Sequence, residues 1–249
     1  MEPASAARML LLIGSGPGVG VAVASHFTKQ YFNRIALFAR NLHQLQKDRE
    51  AVLAAAASVN KVVVVGMWQV DISEPEQLQQ ALSEVEQFGR LECVYFNAAR
   101  VGTSLFFQFP PESVEQDFRV SNSALYIVSR WAIPLLLQEG KSQPETNWKP
   151  SLLVTSSLLP KDPIAELFAL SMVKAAQVNL VKSLDKTFTS QGVHIGLVVI
   201  GGQVSVDSPT LNPTVIAKQA WELFAQERKD WTPQVTLYED GTVDWSESI

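Results

Sequence analysis

The chain alternates short, continuous apolar segments with longer segments in which apolar residues recur at helical spacing. An apolar run of about four to eight residues is typical of a strand buried on both faces, and the amphipathic segment after it is typical of a covering helix. The apolar runs predict strands at Met9–Ile13, Arg34–Ala39, within Lys61–Val70, Leu91–Phe96, Ser151–Thr155, Val193–Ile200 and Gln234–Tyr238.

A helix is predicted after each strand except the last. Asn41 supplies a cap for the second helix, and Ser73 with Glu76 has the spacing of a capping box that opens the third. The long helix before the fifth strand is predicted to break near Phe118–Ser121. The periodic segments are Val19–Gln30, Leu42–Ala57, Ser73 to about Phe88, Pro111–Leu137, Ile164–Thr189 and Pro213–Gln226.

Strands that alternate with helices predict an α/β fold in which helices cover both faces of a doubly wound parallel sheet, because crossovers between parallel strands are right-handed. We expect a single domain over residues 1–249, with about seven strands in the order 3-2-1-4-5-6-7. The polar segment Glu139–Pro150 is predicted to be a surface loop. The acidic tail Glu239–Ile249 is predicted to be frayed.

The composition excludes several classes of function. Charged residues make up 18% of the chain, and its 20 Lys and Arg residues form no run, so no nucleic-acid partner is expected. Cys93 is the single cysteine and has no histidine at ligand spacing, so neither a disulfide nor a metal site is predicted. No apolar run approaches the about 20 residues of a membrane span. A cytoplasmic protein without a membrane partner is the expectation.

The first strand leads into a glycine-rich turn, Ile-Gly-Ser-Gly-Pro-Gly-Val-Gly at residues 13–20, and a helix follows at once. Glycines allow a tight turn and bring backbone N–H groups close to a pyrophosphate, and the helix N-terminus adds partial positive charge. This context predicts a Rossmann-type site in which a dinucleotide is held by Gly14, Ser15, Gly16, Gly18, Val19 and Gly20.

The end of the second strand favours NADP(H) over NAD(H). A site that prefers NAD(H) usually has an acidic residue here, which accepts from the ribose 2′-hydroxyl. Ala39 cannot accept that bond, whereas Arg40 can pair with a 2′-phosphate through its planar guanidinium. Asn41 is adjacent, and the Ser15 hydroxyl can assist.

These motifs resemble those of the short-chain dehydrogenase/reductase family, over residues 9 to about 240. Ile13 replaces the family's threonine in an otherwise matching glycine motif, and Asp71 matches the acid that contacts adenine. Asn97 and Ala98 match two positions of the family's Asn-Asn-Ala-Gly segment. Beyond the glycine turn, the resemblance implies a cofactor held by Asp71, Ile72, Asn97, Ala98, Ala99, Lys174, Gly201 and Gly202.

The resemblance also implies catalytic positions, and here the match is incomplete. Ser157 fits the family serine and Lys174 fits the lysine of its Tyr-x-x-x-Lys motif, but Leu170 stands where the tyrosine is expected. Ser121 stands at the family's asparagine position, and the adjacent Asn122 is expected to face elsewhere. The resemblance assigns proton transfer to the tyrosine, and loss of a positioned general acid typically costs about 10²–10⁴-fold in rate.

Another residue would have to donate the proton that the family's tyrosine supplies. Glu166 is the candidate, because a carboxylic acid in apolar surroundings can stay protonated near neutral pH. Tyr126 is expected to pack in the core. An apolar substrate is predicted from the aromatic and aliphatic residues of this region, namely Phe106, Phe107, Phe109, Leu158, Leu159 and Phe168.

The sequence leaves three functions open. The first is an NADP(H)-dependent oxidoreductase with altered proton-donor chemistry, acting on a small apolar or polycyclic substrate. The second is a similar scaffold repurposed for cyclisation, isomerisation or dehydration, and the third is a non-catalytic NADP(H)-binding protein. The family resemblance implies a homodimer or homotetramer formed through the helices predicted at Pro111–Leu137 and Ile164–Thr189.

Overall fold

The computed structural model describes residues 7–142 and 147–246. The strands are β1 (Arg8–Ile13), β2 (Arg34–Ala39), β3 (Val64–Gln69), β4 (Arg90–Phe96), β5 (Ser151–Ser157), β6 (His194–Gly201), β7 (Gln234–Tyr238) and β8 (Val243–Ser246). They form one sheet in the order β3-β2-β1-β4-β5-β6-β7-β8. All neighbours pair in parallel except β7 and β8, which are antiparallel.

Helices cover both faces of this sheet, as the alternating pattern predicts. They are α1 (Val19–Gln30), α2 (Leu42–Ala57), α3 (Pro75–Val85), α4 (Pro111–Phe118), α5 (Ala124–Ser142), α6 (Phe168–Phe188) and α7 (Pro213–Ala225). Buried side chains of α3, α5 and α6 share one apolar cluster with the sheet, and those of α1, α2 and α7 share a second cluster on the opposite face. The α/β fold is therefore confirmed, with one strand more than the predicted seven.

The continuous apolar run of β1 explains its central place. Every side chain from Met9 to Ile13 is fully buried, because β1 lies between β2 and β4 and is covered by helices on both faces. At about 25 cal/mol for each Å² of apolar surface buried, such strands anchor the sheet and fix the positions at which its loops leave.

The acidic tail is not frayed throughout, since it contains β8. Four residue pairs join β8 to β7, and Gly241, with a φ of +88°, forms the turn between them. The Tyr238 N–H donates to the Thr242 carbonyl across this hairpin (2.9 Å). Residues 247–249 lie outside the described part of the chain.

The start of α3 also differs from the prediction. The helix begins at Pro75, and no side chain caps it, so the capping box of Ser73 and Glu76 is wrong. The Ser73 hydroxyl instead donates to Asp71 Oδ1 (2.7 Å). Proline at the first helical position needs no N–H partner, which explains why the helix starts there.

The predicted surface loop Glu139–Pro150 is only partly correct. Its first residues continue α5 to Ser142, and 143–146 lie outside the described residues. Trp148 is nearly buried and lies against the Arg8 guanidinium, 4.8 Å from the ring centroid. The Lys149 N–H donates to the buried carboxylate of Glu92 (2.8 Å). These contacts return the segment to the core and lead it into β5.

The long helix is not broken near Phe118–Ser121 as predicted, but its regular α-helical winding is interrupted there. A single π-helical turn, Arg119–Ser123, separates α4 from α5. The stretch Pro111–Lys141 is also the one helix of the described chain that is long and apolar enough to cross a membrane, and half of its most apolar window is buried. Leu125, Val128 and Leu136 belong to the core cluster, so packing within the domain explains this apolar character.

A buried histidine at the start of β6 makes stability depend on pH. His194 is 1% exposed, and its ring stacks on Trp231 with centroids 4.8 Å apart. Its Nε2 bonds to the Thr232 carbonyl (2.9 Å), while Nδ1 is buried without a partner in the described structure. Burial lowers the pKa of His194 from 6.5 to about 4, because an imidazolium here would bury an unpaired N–H and a charge.

We predict that His194→Phe flattens the acid side of the stability profile. The folded pKa of about 4 lies below the unfolded value of 6.5, so this group's contribution is complete above pH 6.5 and is lost as pH falls toward 4. Urea unfolding at pH 7 and pH 4.5 measures the loss. We expect the wild type to lose about 2–3 kcal/mol more than the variant over this interval. Equal losses in both proteins would contradict the prediction.

Candidate functional site

The predicted site residues lie at one edge of the sheet. The glycine turn follows β1, Arg40 follows β2, Asp71 follows β3, Asn97 follows β4 and Gly201 ends β6. These strands are parallel, so their carboxyl ends meet at the same edge. The order reverses between β1 and β4, and this reversal is the place where open α/β sheets bind ligands.

The glycine turn has the backbone geometry of an anion cradle. Gly14 and Gly18 have φ values of +88° and +125°, which residues other than glycine rarely adopt. A Cβ on Gly14 would lie 2.6 Å from the Ala98 nitrogen, and a Cβ on Gly20 would lie 2.7 Å from the Gly14 oxygen. These two glycines let the turn pack directly on α1 and on the end of β4.

The outer side of the same turn is open. An added Cβ on Gly16 or Gly18 would meet no atom within 4 Å. No side chain caps the N-terminus of α1, which begins at Val19. The Val21 N–H already donates to the Gly16 carbonyl (3.2 Å), so the N–H groups of Val19 and Gly20 are the ones that remain available to a ligand. An open cradle with an uncapped helix N-terminus fits the pyrophosphate of a dinucleotide.

Arg40 and its neighbour have different roles. Arg40 is exposed and makes no ion pair with any described residue, so its guanidinium is available to an anion. Asn41 caps α2, since its side chain accepts from the Gln44 N–H (3.0 Å). The Ser15 hydroxyl donates to the buried carboxylate of Asp48 (2.6 Å). Because a hydroxyl has one proton, Ser15 cannot at the same time donate to a 2′-phosphate in this arrangement.

Asn97 connects the ends of three central strands. Its Nδ2 donates to the Gly14 carbonyl (3.1 Å), and its Oδ1 accepts from the Thr155 hydroxyl (2.9 Å). The Asn97 N–H donates to the Ile13 carbonyl (2.8 Å). Asn97 therefore acts as a strut that holds the glycine turn against β4 and β5.

Asp71 and Ile72 form the turn after β3. Asp71 Oδ1 accepts from both the N–H (3.0 Å) and the hydroxyl of Ser73. Ile72 is buried against the core, so only its backbone can face a ligand. The Asp71 carboxylate is thereby held at the edge of the sheet.

The side chain at the expected tyrosine position is enclosed by apolar groups. Leu170 is 7% exposed and packs with Leu159 and Val173 in a small cluster. Ala99 and Phe118 are among the residues that pack against this cluster. The position therefore offers neither a proton nor a hydrogen bond.

One helical turn along α6, Lys174 is held by a closed set of hydrogen bonds. Lys174 is 6% exposed, and its Nζ donates to the Thr155 carbonyl (2.7 Å) and to Gln177 Oε1 (2.9 Å). Gln177 Nε2 in turn donates to the Ser121 carbonyl (3.2 Å). Burial lowers the pKa of Lys174 to about 8, because neither acceptor carries the charge that would offset desolvation.

Gln177 is a residue that the sequence analysis missed. It is fully buried and lies three positions after Lys174, so both side chains project from the same face of α6. The spacing of three residues from Lys174 is the sequence signal that could have identified Gln177.

The π-turn reorients the residues around Ser121. Ser121 is buried, and its hydroxyl has no partner among the described atoms. Asn122 does not face away, because its Nδ2 donates to the Val173 carbonyl on α6 (3.1 Å). A π-turn contains an extra residue and rotates the positions that follow it, which explains why regular helical spacing misplaces Asn122.

Ser157 lines a cavity of about 270 Å³ beside α6, and Lys174 is not among the described residues that line it. The Ser157 hydroxyl accepts weakly from the Leu159 N–H (3.4 Å). The same cavity is lined by Tyr238 of β7. Among the described residues no hydrogen bond joins Ser157 to Lys174, whose Nζ bonds to the Thr155 carbonyl and to Gln177 instead.

Two expectations about nearby residues are not met. Glu166 is exposed, so it lacks the apolar surroundings that its predicted role requires. Its carbonyl accepts from the Ser104 N–H (2.8 Å), which fixes the backbone while the side chain points to solvent. Tyr126 is 58% exposed on α5 instead of packed in the core.

Of the six predicted apolar residues, the phenylalanines form an aromatic group near the start of α6. Phe106 stacks on Phe168 with centroids 4.3 Å apart, and Phe109 meets the same ring edge-on at 5.9 Å. Phe107 is fully exposed with a φ of +65°, a strained conformation for a bulky side chain.

Gly201 and Gly202 pack closely against the end of β7. A Cβ on Gly201 would lie 2.8 Å from the Leu237 oxygen, and one on Gly202 would overlap the Glu239 side chain. The Glu239 carboxylate accepts from the Gln203 N–H (3.2 Å). The backbone contact makes glycine necessary at Gly201, whereas a side chain at Gly202 would only require Glu239 to move.

Comparison with known proteins agrees with this geometry. A family model described as short chain dehydrogenase matches residues 8–212. Versicolorin reductase 1 of Dothistroma septosporum is 26% identical over 135 residues, which cover 54% of this chain and 49% of that protein. The chain thus spans about half the length of that curated relative.

Solved structures share the fold over nearly the whole chain. A metagenomic short-chain oxidoreductase in complex with NADP has a TM-score of 0.79 at 19% identity, covering 94% of this chain and 97% of that one. The NADH-dependent reductase A1-R′ complexed with NAD has a TM-score of 0.73 at 19% identity, covering 94% of each chain. Identities this low bear on the fold alone.

Proposed function

Because the chain belongs to the short-chain dehydrogenase family, we propose that it is an NADP(H)-dependent oxidoreductase whose proton-transfer chemistry departs from the family's usual route. The observation that carries the cofactor assignment is the open glycine cradle before an uncapped helix, with the unpaired Arg40 at the end of β2.

The chain's own groups suit a phosphorylated dinucleotide. Backbone N–H groups of the cradle would hold the pyrophosphate, and Arg40 would pair with the 2′-phosphate. Asp71 and Asn97 would lie beside the adenosine half. When bound, NADP(H) supplies or accepts a hydride.

Proton transfer is where the proposed chemistry differs. Leu170 has no proton to donate and is surrounded by apolar side chains. Lys174 is tied to a carbonyl and to the Gln177 amide, and an amide does not carry protons at neutral pH. The Lys174–Gln177–Ser121 chain therefore fixes α6 against the π-turn and β5 instead of resupplying a proton.

Substrates that need little help from an acid fit such a site. Hydride addition to an activated double bond or an iminium ion makes less demand on a general acid than reduction of a simple ketone does. The aromatic group of Phe106, Phe109 and Phe168 supports a small apolar or polycyclic substrate.

A second candidate is a protein that binds NADP(H) without redox turnover, including an enzyme repurposed for cyclisation, isomerisation or dehydration. The specific observation in its favour is that Leu170 and Lys174 are both fully engaged with protein groups. Substrate conversion without a change in cofactor redox state would distinguish it from the first candidate.

Calorimetric titration of the purified protein with NADPH and NADH tests the cofactor proposal. We expect both to bind and NADPH to bind about 10- to 100-fold more tightly, because charge-assisted hydrogen bonds to a phosphate are worth about 1.5–3 kcal/mol. Turnover is then assayed with ketones, enones and cyclic imines. If neither NADPH nor NADH gives a binding heat, the cofactor proposal is wrong.

We further propose a cytoplasmic homodimer or homotetramer. Tyr126 of α5 and Met172 of α6 are both large, exposed apolar side chains, and the free Cys93 suits a reducing compartment. If sedimentation velocity finds only monomer, the proposed homodimer or homotetramer is wrong.

A further inference from the structure

The cavity that Ser157 lines has the chemistry of a carboxylate site, and we propose that it binds an organic monocarboxylate with an apolar body. It lies between α6 and the β7–β8 hairpin and has a volume of about 270 Å³. That volume is large enough for several waters or one small organic acid, since a water occupies about 30 Å³ in the liquid.

Two lysines give the cavity its charge. Lys161 and Lys182 both line it, and neither side chain has an ion pair or a hydrogen bond with a described residue. Asp244 of β8 also lines it and has no cationic partner in the described structure. Two cations and one anion among the described lining residues give them a single net positive charge, which suits a monoanion better than a phosphate dianion.

Neutral donors lie on the same walls. Alternate residues of a strand share a face, so Thr236 and Tyr238 of β7 point toward the cavity together. The Tyr238 hydroxyl has no protein partner among the described residues, and Asn179 of α6 is exposed beside it. A carboxylate accepts up to about four hydrogen bonds and can use these donors together with the ammonium groups.

Part of the lining is apolar. Leu158, Pro160, Val178 and Val199 contribute hydrocarbon. A ligand that satisfies both parts carries a carboxylate at one end and an apolar body at the other. Because Ser157 lines this cavity at the end of β5, we assign it to the carboxylate end of the substrate, and this assignment rests on the proposed function.

Benzoate and its neutral counterpart benzamide are the probes. Amide chemical shifts of the ¹⁵N-labelled full chain are followed during titration with each compound, in the absence of coenzyme. We expect benzoate to shift signals of residues that line the cavity, and benzamide to bind at least about 10-fold more weakly. Inorganic phosphate, titrated separately, is expected to bind more weakly than benzoate.

Variants localise the effect. Lys182→Gln is expected to weaken benzoate binding about 10-fold or more, and Tyr238→Phe about 3-fold, in line with the loss of a charged and a neutral hydrogen bond. Lys186→Gln is the matched control, because Lys186 is an exposed lysine one turn further along α6 and does not line the cavity. It should leave the affinity unchanged.

Several outcomes overturn the assignment. The assignment is wrong if benzoate does not bind, or if benzamide or phosphate binds as tightly as benzoate or more tightly. It is also wrong if the Lys182 and Lys186 variants lose the same amount of benzoate affinity. NADPH affinity is measured on the same samples. Loss of benzoate binding with NADPH binding intact removes only this inference, whereas benzoate binding without any NADPH binding removes the proposed function.

Discussion

Leu170→Tyr is expected to raise NADPH-dependent reduction of small ketones by about 10²–10⁴-fold, the usual contribution of a positioned general acid. The new phenol would stand one helical turn before Lys174 on the same face of α6, where the ammonium group favours the phenolate. The rest of the cofactor-binding edge is unchanged by the substitution. Initial rates of NADPH oxidation with a panel of small ketones provide the measurement.

Leu170→Phe is the control for this experiment. It introduces the same ring without the hydroxyl, so any change caused by altered packing against Leu159 and Val173 occurs in both variants. A gain in the tyrosine variant alone assigns the effect to proton donation. If both variants stay at the wild-type rate while they still bind NADPH, the missing phenol is not what limits ketone reduction.

Arg40→Gln is expected to lower NADPH affinity by about 10- to 100-fold and to change NADH affinity by less than about 2-fold. The guanidinium can bind a phosphate through two parallel hydrogen bonds, and only NADPH carries the 2′-phosphate. Calorimetry with both coenzymes at low and at high salt gives the comparison. The wild-type preference should shrink as salt screens this exposed charge.

Lys47→Gln serves as the control, since Lys47 is an exposed cation of α2 without an assigned role. It should leave the ratio of the two affinities unchanged. Equal losses for NADPH and NADH in the Arg40 variant would show that Arg40 supports the general fold of the site and does not read the phosphate.

The fold followed from the sequence because burial on both faces leaves a clear pattern. Strands such as β1 and β6 are apolar at nearly every position. A strand that is buried on both faces needs such a continuous apolar run, so the run can be recognised in the sequence. β8 was missed because its sequence, Val-Asp-Trp-Ser, mixes polar and apolar residues at an exposed sheet edge. The Asp240-Gly241 pair was the available hairpin signal, since aspartate and glycine favour tight turns.

The candidate site was predictable only where it depends on local sequence. The glycine cradle and Asn97 follow strands directly, so topology brings them together. The Ser15–Asp48 hydrogen bond joins residues 33 positions apart, and the Gln177–Ser121 contact joins residues 56 apart. Such pairs depend on how helices pack, and periodicity along one helix cannot reveal them.

Expectations about exposure failed where the path of a loop decides it. Glu166 has apolar neighbours in sequence, but the segment before α6 turns its side chain outward. The direction of Asn122 was predicted wrongly because a π-turn adds a residue to the helix. The spacing of a regular α-helix does not account for this added residue.

The short strand β8 has a consequence for how copies of this chain can meet. By pairing with β7, it occupies the row of backbone donors and acceptors that β7 would otherwise present along the rim of the sheet. Two molecules cannot then join their sheets through β7, and the edge that this end of the sheet presents is the short strand β8, which mixes polar and apolar residues. Cutting the chain after Tyr238 would uncover that row and make the protein prone to aggregate strand against strand.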